Sequence, residues 1–246
     1  MINKSLLFLT LFTFASFFGQ DNRKMTVLYK LFLEEDKINF KNDDVRNAIS
    51  LESGNLIFKL YINDSVSYFI ENNGISTENL PAKLAILKTK YITPIYCKAD
   101  KSFLFNNSPN FRFFNNNEYL ISKKSISDWV ITDESKMIDG NLCYKAITTD
   151  IDYGGRDKKE YQITAWFCPK IPFSFGPVYY GNLPGLILEI NYLDIKLLAT
   201  KIEYRLEVNK INKPEGQKMI TISDYYSKMS STINELMKEV ENQKKY

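Results

Sequence analysis

Two β-patterned runs, residues 161–168 and 186–190, bracket a segment dense in proline, glycine and aromatic residues. This arrangement demands a tight, rigid turn that feeds a buried strand. Pro184 has no N–H to give to a ladder, so it belongs at the start of a strand or on an edge. Gly185 beside it supplies a flexible or positive-φ position. Leu186, Ile187, Leu188 and Ile190 then read as a strand buried on most of both faces. The intervening segment has two readings. The default is a structural turn leading into a core strand. The alternative is a rigid loop presenting Phe173, Phe175, Tyr179 and Tyr180 to a ligand, since exposed aromatics need a reason.

Further parts of this block resemble a family signature. Ala165-Trp166-Phe167 supply a Trp-aromatic pair, residues 169–172 a proline turn, and Gly176-Pro177 the next element. Asn182, Leu183, Pro184, Gly185, Leu186 and Ile187 close it, and Cys143, Lys145 and Ala146 supply an upstream Cys-x-Lys-Ala element. The combination resembles the GLPGLI family of exported bacterial proteins. The resemblance implies export and a full-length β-rich member. It implies no activity. Two positions depart from the pattern: Asn182 stands where the family has its first glycine, and Cys168 stands where a polar residue is expected. Asparagine tolerates positive φ better than most residues, so the first change is compatible with the turn.

The rest of the chain carries the same β character. Residues 25–32 read as a strand followed by a polar turn. Residues 56–62 and 65–70 form a hairpin signal interrupted at Asn63-Asp64. Residues 79–88 read as a short helix or an ordered loop. A second hairpin is expected over 111–121, with strands at 129–132 and 142–148, the latter paired with 161–168. A turn near Asn191 to Asp194 should connect the signature strand to the next one. Residues 201–208 alternate charge with apolar side chains, as a strand with one face in water does. Met229, Ile233, Leu236, Met237 and Val240 recur at helical spacing, and Ser223 or Thr221 can cap that helix. The stripe fits packing on the sheet first and a partner-binding helix second. The predicted fold is mainly β: an antiparallel, strongly curved open sheet or half-barrel with a C-terminal α-helix.

Residues 1–20 read as a signal peptide. Lys4 precedes an apolar run over 6–18 that is too short to span a bilayer, and Ala15, Ser16 and Gly19 lie near its end. An uncleaved N-terminal anchor is the alternative. No cysteine lies there for lipid attachment, and no second apolar stretch reaches membrane-spanning length. Export to the periplasm is expected, with outer-membrane association or secretion as alternatives. Residues 21–246 have no linker composition or internal repeat and read as one β-rich domain. Removing Lys4 from the 32 basic residues leaves 31 against 29 acidic ones. That scattered near-balance points away from nucleic acid.

The chain contains no histidine. This excludes Ser-His-Asp and Cys-His nucleophiles and the usual zinc sites, and the three cysteines lack CxxC spacing. No cofactor or metal is expected. If strands 142–148 and 161–168 pair around a loop centred near 155, opposed positions sum to about 311, as Cys143 and Cys168 do. A cross-strand disulfide between them is expected, which an exported location permits. Cys97 is left as a buried small hydrophobe.

Asp150, Asp152, Asp157 and Glu160 crowd one loop but lack EF-hand spacing, so a solvated hairpin tip is the simpler reading. Glu189 interrupts an apolar strand. It faces water or pairs with a base, unless it faces a cleft as part of a carboxylate pair. Trp166, Phe173, Phe175 and Tyr179 are the candidate ligand-binding residues, lining a concave face; core packing is the simpler alternative. The functional expectation is a non-enzymatic exported binding or envelope-accessory protein for an apolar ligand, a peptide or an envelope protein. A histidine-independent hydrolase and a surface-assembly protein are the alternatives.

Overall fold

The structure is a computed structural model. It describes residues 24–34, 38, 42–72, 81, 84–85, 94–98, 101–105, 118–153, 158–204, 211–213 and 218–243, with side chains of the last helix described to residue 232. The described strands are β1 Lys24–Leu33, β2 Ile57–Asn63, β3 Val66–Glu71, β4 Ile95–Lys98, β5 Lys101–Phe105 and β6 Tyr119–Lys124. They continue with β7 Val130–Ile138, β8 Asn141–Asp152, β9 Lys159–Cys168, β10 Leu186–Tyr192, β11 Ile195–Glu203 and β12 Lys218–Thr221. Helix α1 spans Asp43–Ser53 and helix α2 spans Ile222–Gln243.

All twelve strands join one open sheet in the order β12-β6-β5-β4-β3-β2-β1-β11-β10-β9-β8-β7. Every pairing is antiparallel except β12 with β6. The mainly β, open antiparallel sheet with a C-terminal helix is thus the fold observed. β2 and β3 turn at Asp64, whose φ is 47°. β10 and β11 turn at Leu193-Asp194, as the sequence predicts. β8 and β9 pair through Tyr144↔Phe167 to Asp152↔Lys159, the register with sums of 311.

Several expectations are corrected or fall elsewhere. The polar turn after β1 leads into α1, capped by Asn42, whose Oδ1 accepts from the Val45 N–H at 3.2 Å. Ser53 at its end accepts from the Leu33 N–H at 3.1 Å and ties the helix to β1. β12 was not anticipated, being only four residues long. The signal over 1–20, most of the helix over 79–88, residues 111–117 of the second hairpin and residues 205–208 lie outside the described residues.

Period-two patterning sorts the side chains onto two faces. The inner face carries Val27, Tyr29, Leu31, Phe58, Leu60, Phe69, Ile95, Ile121, Ile163, Ala165 and Phe167, which form the main core. On the outer face Tyr61, Tyr68 and Tyr96 stand opposite one another in register and make a smaller cluster with Phe103 and Ile211. Thr221 caps α2, accepting from the Asp224 N–H at 3.1 Å, as predicted. The helix is pinned by buried Ile222 and Tyr225, and Tyr225 meets Tyr119 of β6 edge-to-face.

Candidate functional site

The signature segment folds into the concavity of the sheet. Ile171, Phe173, Val178, Tyr179, Tyr180 and Leu183 are all buried there. The Cys97 thiol, on the inner face of β4, donates to the Val178 carbonyl at 3.9 Å. Trp129 Nε1 donates to the Gly181 carbonyl, and Asn182 Nδ2 to the Ile126 carbonyl, each at 2.8 Å. The Tyr29 hydroxyl donates to the Ile187 carbonyl at 2.5 Å. Asn182 takes φ 63°, the left-handed value its identity allows. At Gly185, φ is 153°, and a Cβ there would collide with the Cys168 carbonyl.

Where this segment meets the two ends of the sheet lies a buried polar centre. Lys123 Nζ on β6 donates to both carboxylate oxygens of Asp150 on β8, at 2.7 Å each. The side chains are only 6% and 9% exposed. The Tyr179 and Tyr161 hydroxyls donate to Asp150 Oδ2 at 2.9 and 3.1 Å, and the Ile151 N–H to Oδ1 at 2.8 Å. Tyr180 and Tyr161 share a hydroxyl contact of 3.1 Å. Lys123 Nζ also stands 4.4 Å from the Tyr179 ring centre. Burial pushes the Lys123 ammonium below its ordinary range, and the Asp150 carboxylate pulls it back.

This arrangement is chemically closed. A carboxylate has about four lone-pair positions, and the donors around Asp150 fill them. No acceptor remains on Asp150 to take a substrate proton or a metal. The centre is therefore a latch joining distant strands to the signature segment. The reading of Asp150 as part of a solvated tip is corrected, because β8 continues through it and turns it inward. Sequence reasoning missed Lys123, although it alternates with Tyr119 and Ile121 on an apolar face, a legible signal. Asp157 lies outside the described residues. Among the described residues, no three His, Cys, Asp or Glu side chains are grouped to hold a metal ion.

A second polar group lies on the outer face. Trp166 is directly opposite Glu189 of β10 and Lys145 of β8. Lys136 Nζ sits 4.3 Å from the Trp166 ring centre and 2.7 Å from Glu189 Oε2. Asn191 Nδ2 donates to Glu189 Oε1 at 3.0 Å. Glu189 is 8% exposed and Lys136 35%, so Glu189 has the paired, not the cleft-facing, role.

Phe173 and Tyr179 are buried in the core, and Phe175 and Trp166 are partly buried against it; strand alternation sets Trp166 on the outer face, so the four line no common concave surface. Cys143 and Cys168 are both buried, and both are free thiols in this structure.

The family described as "Protein of unknown function (Porph_ging)" matches residues 153–189, the stretch that holds most of the signature residues. No curated protein matches the chain. Two solved structures of PNGF-II, in space groups P21 and C2, are similar at 16% and 13% identity, with TM-scores of 0.50 and 0.48. Each match covers 85% of this chain, and 34% and 33% respectively of the other. The chain thus spans about a third of the length of those chains, and the likeness is one of fold alone.

Proposed function

We propose that the chain is an exported, GLPGLI-like, non-enzymatic binding module of the cell envelope that docks another protein on the inner face of the β7–β8 hairpin. The observation that carries this reading is an apolar patch on β7 and β8, at one edge of the sheet among the described residues. Ile131, Met137 and Leu142 are 51%, 61% and 47% exposed. Met137 and Leu142 are directly opposed, and Ile131 opposes Ala146 on the same face. The patch is spread over an edge hairpin, which suits a protein contact better than a small molecule, since small ligands favour enclosed sites. Exposed Asp133 and Asp139 border it, so the partner's complement is an apolar patch rimmed by Lys or Arg.

The register of β7 on β8 breaks between Ile131 and Ser135. Such a bulge blunts an edge against strand addition, so contact through side chains is the better fit. The concavity suited to an apolar ligand is occupied by the chain's own aromatics. The hydrolase alternative loses support because both oxygens of Glu189 are engaged and Asp150 lies on the other face. Export rests on the composition of residues 1–20. In PNGF-II the similar fold is part of a longer chain, which suits an accessory module.

The test is site-specific photocrosslinking in the native envelope from positions 137 and 142, with exposed Leu51 as control. A discrete adduct with one protein from 137 and 142 only, abolished from 137 by Leu142→Glu and from 142 by Met137→Glu, supports the reading. Equal adducts at all three positions, or none, overturn it, and an adduct of two copies replaces it with self-association. N-terminal sequencing of the envelope protein should begin near Gln20. Recovery only of a cytosolic chain retaining Met1 overturns export.

A further inference from the structure

Cys143 and Cys168 stand on the outer face of the β8–β9 hairpin, both buried and both free thiols. The ladder pairs Tyr144 with Phe167, so its next step brings Cys143 opposite Cys168. Flanking strands hold the pair from both sides, for Cys143 also opposes Lys136 of β7 and Cys168 opposes Leu186 of β10. The Cys143 thiol donates to the Asn141 carbonyl at 3.5 Å, and Cys168 is close enough to help push its pKa up. Directly opposed antiparallel residues have Cα atoms about 4.5 or 5.5 Å apart, and both values fall inside the roughly 4.4–6.8 Å range of a disulfide. Cys97 cannot compete. It lies on the inner face of β4, its thiol 3.3 Å from the Ser102 hydroxyl.

We propose that Cys143 and Cys168 are a disulfide site filled during folding, a covalent staple across β8 and β9 at the foot of the signature turn. In the balanced step, one thiolate attacks the S–S bond of a disulfide oxidant and expels one oxidant thiol. The second cysteine then attacks the mixed disulfide and expels the other. The protein loses two protons and two electrons, and the oxidant becomes two thiols.

Timing follows from the surroundings of the pair. In the folded chain the Cys143 thiol is pushed up to about 12, first by burial and then by Cys168, while Lys136 pulls the other way. Little thiolate exists at neutral pH, and no oxidant reaches a fully buried sulfur. Exchange therefore precedes closure of the hairpin. The staple would fix Cys168, whose carbonyl lies against the glycine of the Leu-Pro-Gly turn.

The test compares two treatments of the purified chain with oxidised glutathione. One sample is unfolded, reduced and refolded in its presence; the other is folded in reductant first and exposed afterwards. Both are alkylated under denaturing conditions, weighed intact and mapped. The expected result is one alkylated cysteine, Cys97, in the first sample and three in the second. The oxidised form should melt about 5–10 °C higher. Cys97→Ser should keep the bond, and Cys168→Ser should lose it. Three alkylated thiols after oxidative refolding, or a bond that includes Cys97, overturn the site. Rapid oxidation of the folded dithiol overturns its coupling to folding.

Discussion

Lys123 and Asp150 form a 2.7 Å ion pair although their strands, β6 and β8, stand second and eleventh in a sheet of twelve. Nine strand spacings would separate them by about 43 Å in a flat sheet, at about 4.8 Å each. The pair therefore reports the roll of the whole sheet, which brings both ends onto the signature segment without closing a barrel.

Breaking that pair on one side should be far worse than removing it. Asp150→Asn leaves a buried ammonium and should cost about 3–5 kcal/mol, as should the reverse exposure of Asp150 in Lys123→Met. The double variant should lose much less than the sum of the two. Urea unfolding of the four proteins gives the coupling, and strict additivity would show that the two groups do not depend on each other.

Gly185→Ala should destabilise by about 2–4 kcal/mol, because the new Cβ meets the Cys168 carbonyl and the backbone holds φ at 153°. Gly140→Ala is the control. Its φ is 72°, but nothing lies within 4 Å, so about 1 kcal/mol is expected. Equal losses in thermal unfolding would deny the close approach at Gly185.

On the outer face, Lys136→Ala should cost about 1–3 kcal/mol because it strips a buried Glu189 of its counter-charge. Lys145→Ala removes an ion pair to the exposed Glu134 and should cost less than about 1 kcal/mol. Glu189→Gln combined with Lys136→Ala should recover part of the loss. Denaturant midpoints that rank the two lysine variants the other way would refute this account.

Stability should fall in alkali. Burial pushes Tyr226 from 10.0 up to about 12, Cys97 from 9.0 up to about 11, and Tyr29 and Tyr225 upward as well. These groups hold their protons longer when folded, so their contribution is complete below about pH 9 and drains away as pH climbs through 11 and 12. Lys123 acts oppositely, since its lowered value makes stability rise with pH up to the ordinary lysine range. One lysine is outweighed by four raised groups. A urea midpoint that holds steady between about pH 8 and pH 11 would contradict this sign.

Local rules made much of this protein legible in advance. Alternation placed the β2–β3 hairpin, the turn at Leu193-Asp194 and the β8–β9 register, because period-two burial leaves a strand no freedom to slip by one residue. Asn182 and Thr221 adopted the turn and cap roles that their side chains favour. Helix α1 was missed: its apolar stripe is weak, and its anchor is a side-chain bond from Ser53 to β1.

Sequence by itself determined most of the strands, their alternation, the signature turn and the β8–β9 register, all set by neighbours along the chain or across one hairpin. Only the tertiary structure decided which face each aromatic serves, where β12 joins and that Lys123 answers Asp150. Those outcomes depend on the roll of the sheet, a sum of small twists over many strands, and no local pattern encodes which distant ends will meet.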